Sequence, residues 1–141
     1  MTPAAAQCEI LARTLWGEAA GRPVRALEAV ASVVMNRVRL AAAPEGPVHW
    51  GRGLIGVCRA PFQFPCWNPH HPRHRAMREA GESDVHLPAC RRIAARALAG
   101  ALPDPTGGAT HYHDAETLPG WAIGEVPLAE IGALVFYRME R

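Results

Sequence analysis

The sequence predicts an α+β fold in one domain covering residues 1–141, mainly helical with a small strand element. Three observations carry this expectation. The chain has 141 residues with 49% apolar composition, which fills one core and leaves no material for a second. Segments in which apolar residues recur at the helical period are closed by glycines, and two short stretches late in the chain have strand character.

The first helix is expected from about Pro3 to Ala20, where Cys8, Leu11 and Leu15 share a face and Gly21 supplies the left-handed residue that closes it. Pro23 then opens a second helix, "PVRALEAVASVVMNRVR", ending near Leu40. Its residues Leu27, Val30, Ala31, Val34 and Val38 mark it as the central buried element. From Ala43 to Pro72 the prolines, glycines, aromatics and histidines predict a long functional loop with little regular structure. A third helix is predicted at Pro88–Leu98, with Cys90, Ile93, Ala94, Ala97 and Leu98 on one face and Gly100 as the stop. "PDPTGGATHYHDAETLPGW" reads as turn, short strand and loop, and "IGALVFYR" as a final apolar strand or buried segment.

Fifteen basic against thirteen acidic residues leave a formal charge of +2, which does not point to nucleic acid. Every basic residue is an arginine, the side chain suited to planar recognition of anions and carbonyls. No apolar run reaches the roughly 20 residues of a membrane span. The start, "MTPAAAQCEI", shows neither a basic n-region nor a continuous apolar one, so the chain is expected to lack its own secretion signal.

The residue that does not fit its surroundings is Glu18. It follows Cys8, Leu11 and Leu15 on the same helical line, so an apolar stripe ends in a carboxylate. The negative end of the helix dipole and partial burial both disfavour the charged form there, which keeps a proton available to a general acid. The competing expectation is a structural pair with an arginine such as Arg22. Glu28, Asp114 and Glu116 are the alternative carboxylates for a two-acid mechanism. Glu28 reads as a solvated helix residue, and the other two as ordinary loop acids.

"CRAPFQFPCWNPHHPRH" brings Cys58, Cys66, His70, His71 and His74 together in sequence, and Cys90, His111 and His113 could join them. The spacing matches no compact zinc pattern, so reduced core cysteines or a Cys58–Cys66 disulfide is the plainer reading. Phe62, Gln63, Phe64, Trp67 and Asn68, with Tyr112 and Trp121 later, pair aromatic faces with amides, a combination that suits sugar rings or a minor core.

In their order, "LARTLWGEAAGRP", "AVASVVMNRVR", "VCRAPFQFPCWNP", "PDPTGGATHYH" with "PGWA", and "IGALVFYR" resemble the SleB-type cell wall hydrolases, whose spore-cortex members are lytic transglycosylases. The likeness covers nearly the whole chain. It implies a lysozyme-like, lytic-transglycosylase-like fold and peptidoglycan glycan strands as substrate. It assigns Glu18 as the catalytic acid and Gln63, Phe64, Tyr112 and Trp121 as groove residues.

The resemblance further implies one acid, with no metal and no cofactor. Glu18 would protonate the oxygen between N-acetylmuramic acid and N-acetylglucosamine, while the muramic acid's own hydroxymethyl attacks and a 1,6-anhydro sugar forms. A monomer is expected, made in the cytoplasm and acting in the periplasm or cell wall after release through a holin or carriage in a phage-like particle. The enzyme alternative is a zinc-dependent amidase or peptidase built on the Cys/His cluster. The non-enzymatic alternative is a wall-binding module.

Overall fold

The computed structural model describes residues 1–139. Helix α1 (Pro3–Ala19) starts where the Thr2 hydroxyl accepts from the Ala5 N–H at 3.1 Å and proline occupies the first turn. It stops before Gly21, whose φ of 90° lies in the left-handed region. Helix α2 (Val24–Ala41) follows Pro23 and carries the largest buried face, with Val30, Ala31, Val33 and Val34 out of solvent. Both elements lie where apolar periodicity places them.

The expected long loop is more ordered than its composition suggests. Helix α3 (Gly53–Arg59) lies within it, along with two short 3-10 turns at Val48–Trp50 and Pro65–Trp67. Leu54, Val57 and Cys58 of α3 are buried in the main core, and that burial overrides the helix-breaking tendency of "GRGLIG". A further short helix, α4 (His74–Glu79), is fixed by the fully buried Met77. Helix α5 (Leu87–Leu98) completes the helical layer, packing on α1 and α2. Asp84 Oδ1 accepts from the His86 and Leu87 N–H groups at its start and from Trp16 Nε1 of α1, tying the two helices together.

Strands β1 (His111–Asp114), β2 (Ala129–Ile131) and β3 (Leu134–Tyr137) form an antiparallel sheet in the order β1-β3-β2. Residue alternation gives the sheet two different faces. Leu134 and Phe136, with Tyr112 opposite Phe136, face the helical core. Tyr137 joins Ala122 and Met139 in a smaller cluster. Helices and sheet thus share one core, the α+β arrangement expected. The β2–β3 turn approaches α2 so closely that a Cβ on Gly132 would lie 2.6 Å from the Ala26 Cβ.

Candidate active site

Glu18 occupies the last turn of α1, and residues from two separate parts of the chain converge on it. Its Oε1 accepts the hydroxyl hydrogen of Tyr112 on β1, and its Oε2 accepts the backbone N–H of Cys66 at 3.2 Å. Gly17 makes the second contact sterically feasible. A Cβ there would meet the Cys66 Cβ at 2.5 Å and its Sγ at 2.7 Å, so only glycine lets the 65–67 turn lie against α1.

The carboxyl opens into a cleft of about 520 Å³ whose walls include Arg37, Gln63, His111, Tyr112, His113 and Trp121. Among the described residues, Glu18 is the only carboxylate lining it. Glu18 is not paired with Arg22. That arginine binds Asp114 Oδ2 at 2.6 Å and the Gly132 carbonyl at 2.8 Å. Asp114 is held below the usual aspartate range by the Glu116 N–H and by Arg22, and serves the loop after β1. Glu28 pairs with Arg96 at 3.2 Å, and Glu116 is exposed outside the cleft. None of the alternative carboxylates reaches Glu18's cleft.

Burial, together with the neighbouring Glu18 charge, pushes the Tyr112 phenol well above its ordinary value, so it stays a hydrogen-bond donor. Gln63 lines the cleft, and its Oε1 accepts from Arg37 Nη1 at 2.9 Å. Trp121 is 39% exposed and meets the His111, His113 and Tyr137 rings at centroid distances of 5.4 to 5.6 Å. Phe64 takes a different place. It is buried in the core, with its ring 5.0 Å from the Arg37 guanidinium, and it lines not the Glu18 cleft but the neighbouring one, with Pro61 and Trp67.

Arg37 is the part of the site that the sequence reading passed over. Its side chain is buried, with Nε donating to the Thr110 carbonyl at 2.7 Å and the guanidinium lying against Trp50 and Phe64. Desolvation lowers its proton affinity, opposed by Tyr112 and Glu18 nearby. One signal could have found it: Arg37 lies three and seven residues after Val34 and Val30, so it interrupts the apolar stripe of α2 as Glu18 interrupts that of α1. Phe62, another cleft residue, has a left-handed φ of 64° and is 96% exposed.

Of the readings open for the Cys/His segment, the structure shows reduced cysteines packed in the core. All four cysteines are free thiols, so the Cys58–Cys66 staple is absent, and both side chains are buried. The histidines serve the loop itself: His74 Nδ1 lies 2.9 Å from the Cys66 carbonyl, and His71 Nδ1 accepts from the Arg73 N–H at 3.1 Å. Among the described residues no three His, Cys, Asp or Glu side chains are grouped as a metal would need. Nor is any described helix long and apolar enough to cross a membrane.

Comparison with known proteins places this architecture. The chain is 26% identical over 132 residues to a spore cortex-lytic enzyme of Halalkalibacterium halodurans, covering 91% of this chain and 33% of that protein. It therefore spans about a third of that relative's length. The catalytic domain of the Bacillus cereus SleB protein superposes with a TM-score of 0.68 at 22% identity, covering 94% of this chain and 89% of that one. The catalytic domain of the germination-specific lytic transglycosylase SleB from Bacillus anthracis gives 0.71 at 22% identity, covering 98% and 97%. Both likenesses establish the fold. The family model described as cell wall hydrolase matches residues 21–137, most of the chain, and the chain belongs to that family.

Proposed function

We propose that this chain cleaves the glycan strands of peptidoglycan between N-acetylmuramic acid and N-acetylglucosamine, as a lytic transglycosylase with Glu18 as its single acid and base. The observation that carries the reading is the solitary carboxylate: among the described residues of the cleft, only Glu18 has a carboxyl to offer. A hydrolase with two carboxylates needs a second one to activate water. A lytic transglycosylase does not, because the muramic acid's C6 hydroxyl is the nucleophile and is delivered by the substrate itself.

In this mechanism Glu18 gives its proton to the glycosidic oxygen as that bond breaks. The Tyr112 hydroxyl and the Cys66 N–H then stabilise the resulting carboxylate. Glu18 next takes the proton from the C6 hydroxyl as its oxygen bonds to the anomeric carbon, which restores the acid and leaves a 1,6-anhydro end. Gln63, Tyr112 and Trp121 would form the groove around the scissile bond, while Phe64 would act from below by holding Arg37 and through it Gln63.

Mass spectrometry of digested peptidoglycan tests the reaction. The expected products carry 1,6-anhydromuramic ends, and reducing muramic ends would mean hydrolysis. Glu18→Gln is expected to fold normally and lose on the order of 10²-fold or more in rate. Retention of half the wild-type rate would remove Glu18 from the mechanism.

A further inference from the structure

Beyond the Phe62 rim of the Glu18 cleft lies a second cleft of about 440 Å³, with walls that include Arg59, Pro61, Trp67 and Asn68. The two clefts share Phe62 and Pro65, so they are neighbours. Phe62 is the ridge between them, held outward by a left-handed backbone that a non-glycine residue adopts only at a cost. The floor of the second cleft is rigid. Trp67 donates through Nε1 to the buried Thr14 hydroxyl at 2.9 Å, and the Arg59 guanidinium lies 5.2 Å from the Trp67 ring centre.

Arg59 is exposed, and among the described residues it has no carboxylate within ion-pair distance. Glu9, which lines the adjoining surface with Arg59, is already shared by Arg13 at 2.8 Å and Arg91 at 2.9 Å. Arg13 and Arg78 line the adjoining surface. A planar cation stacked on an anchored indole, with its donors uncommitted and apolar walls beside it, is built to receive a carboxylate on a partly apolar chain. Along a peptidoglycan strand the acetylated glucosamine units are neutral. The peptide stem carries the carboxylates and the aliphatic side chains, and it branches away from the sugar backbone.

We propose that the Arg59–Trp67 cleft binds the peptide stem of the muramic residue held in the Glu18 cleft, with a stem carboxylate on Arg59 and its aliphatic portions against Phe62, Pro61 and Pro65. This rests on the glycan-cleaving reading for the register of the substrate. The site makes the enzyme selective for strands that keep their stems.

Binding without turnover tests it. An N-acetylated stem tetrapeptide is titrated into Glu18→Gln protein by calorimetry, beside the same peptide with every carboxylate amidated. The acidic peptide is expected to bind at least about tenfold more tightly, and Arg59→Ala in that background should abolish the difference while Arg59→Lys keeps part of it. Equal affinity for the two peptides, or an unchanged preference in Arg59→Ala protein with a wild-type melting temperature, overturns the site. In the active enzyme, kcat/KM on peptide-bearing strands divided by that on amidase-stripped strands should fall towards one in Arg59→Ala. Because the titration involves no bond cleavage, its outcome is independent of whether Glu18 is the acid.

Discussion

The Tyr112 hydroxyl donates to Glu18 Oε1 across 94 residues of sequence, joining the first helix to the first strand at the centre of the cleft. The bond depends on sheet register. Tyr112 is opposite Phe136, with ring centroids 5.7 Å apart, so its ring is fixed by the core while its hydroxyl reaches the carboxyl.

Tyr112→Phe should therefore fold as wild type and lose about 10- to 100-fold in kcat with little change in KM. The hydroxyl's hydrogen bond strengthens as charge develops on the carboxylate, and bonds to charged groups are worth about 1.5 to 3 kcal/mol. Steady-state kinetics on soluble strands, with a melting curve as control, check this. An unchanged kcat would make the contact structural.

Gly17→Ala should reduce stability by about 1 to 3 kcal/mol and lower activity at the same time. The new methyl would displace the turn that carries the Cys66 N–H from Glu18 Oε2. Gly56→Ala is the control: it is helical, has open space around its Cβ, and should stabilise by up to about 1 kcal/mol. Denaturant titration and turnover measured on both variants separate the two effects.

The parts of the site that could be read from the sequence were those where a pattern was broken. Glu18 stood out because a carboxylate ended the stripe of Leu11 and Leu15, and Arg37 carried the same kind of signal in α2. Helices α1, α2 and α5 follow from periodicity because each buries a continuous face. Helix α3 does not, since its seven residues are held by tertiary burial of Leu54, Val57 and Cys58 against glycine-rich propensity. The role of Phe64 was equally hidden. Nothing local shows that Phe64 supports a buried arginine, which only the approach of α2 brings about.

Arg37→Ala should cost about 2 to 4 kcal/mol, because it leaves the Thr110 carbonyl and Gln63 Oε1 without their donor and opens space between Trp50 and Phe64. Arg37→Lys should recover only part of this, since an ammonium cannot reproduce the planar fork between two aromatic rings. Urea titration of the two variants gives the comparison. A lysine variant equal to wild type would show that charge alone matters there.

The cysteines determine how stability should vary at alkaline pH. Burial pushes the Cys58 thiol up to about 12 and Cys90 to about 11, from an ordinary value of 9.0, and Cys66 is raised further by burial and the Glu18 charge. The native state therefore keeps these protons while the unfolded chain releases them as pH rises through 9, so stability is full below that pH and falls above it. Each thiol contributes a slope approaching about 1.4 kcal/mol per pH unit once the unfolded form is ionised. With no lysine in the chain, few other side chains titrate between pH 9 and 10 to obscure the effect. Urea midpoints measured under reductant should hold steady from pH 7 to 8 and drop progressively by pH 10, and Cys58→Ala should show a shallower fall. Midpoints that stay level to pH 10 would mean that the thiols ionise as readily in the folded protein as in the unfolded chain.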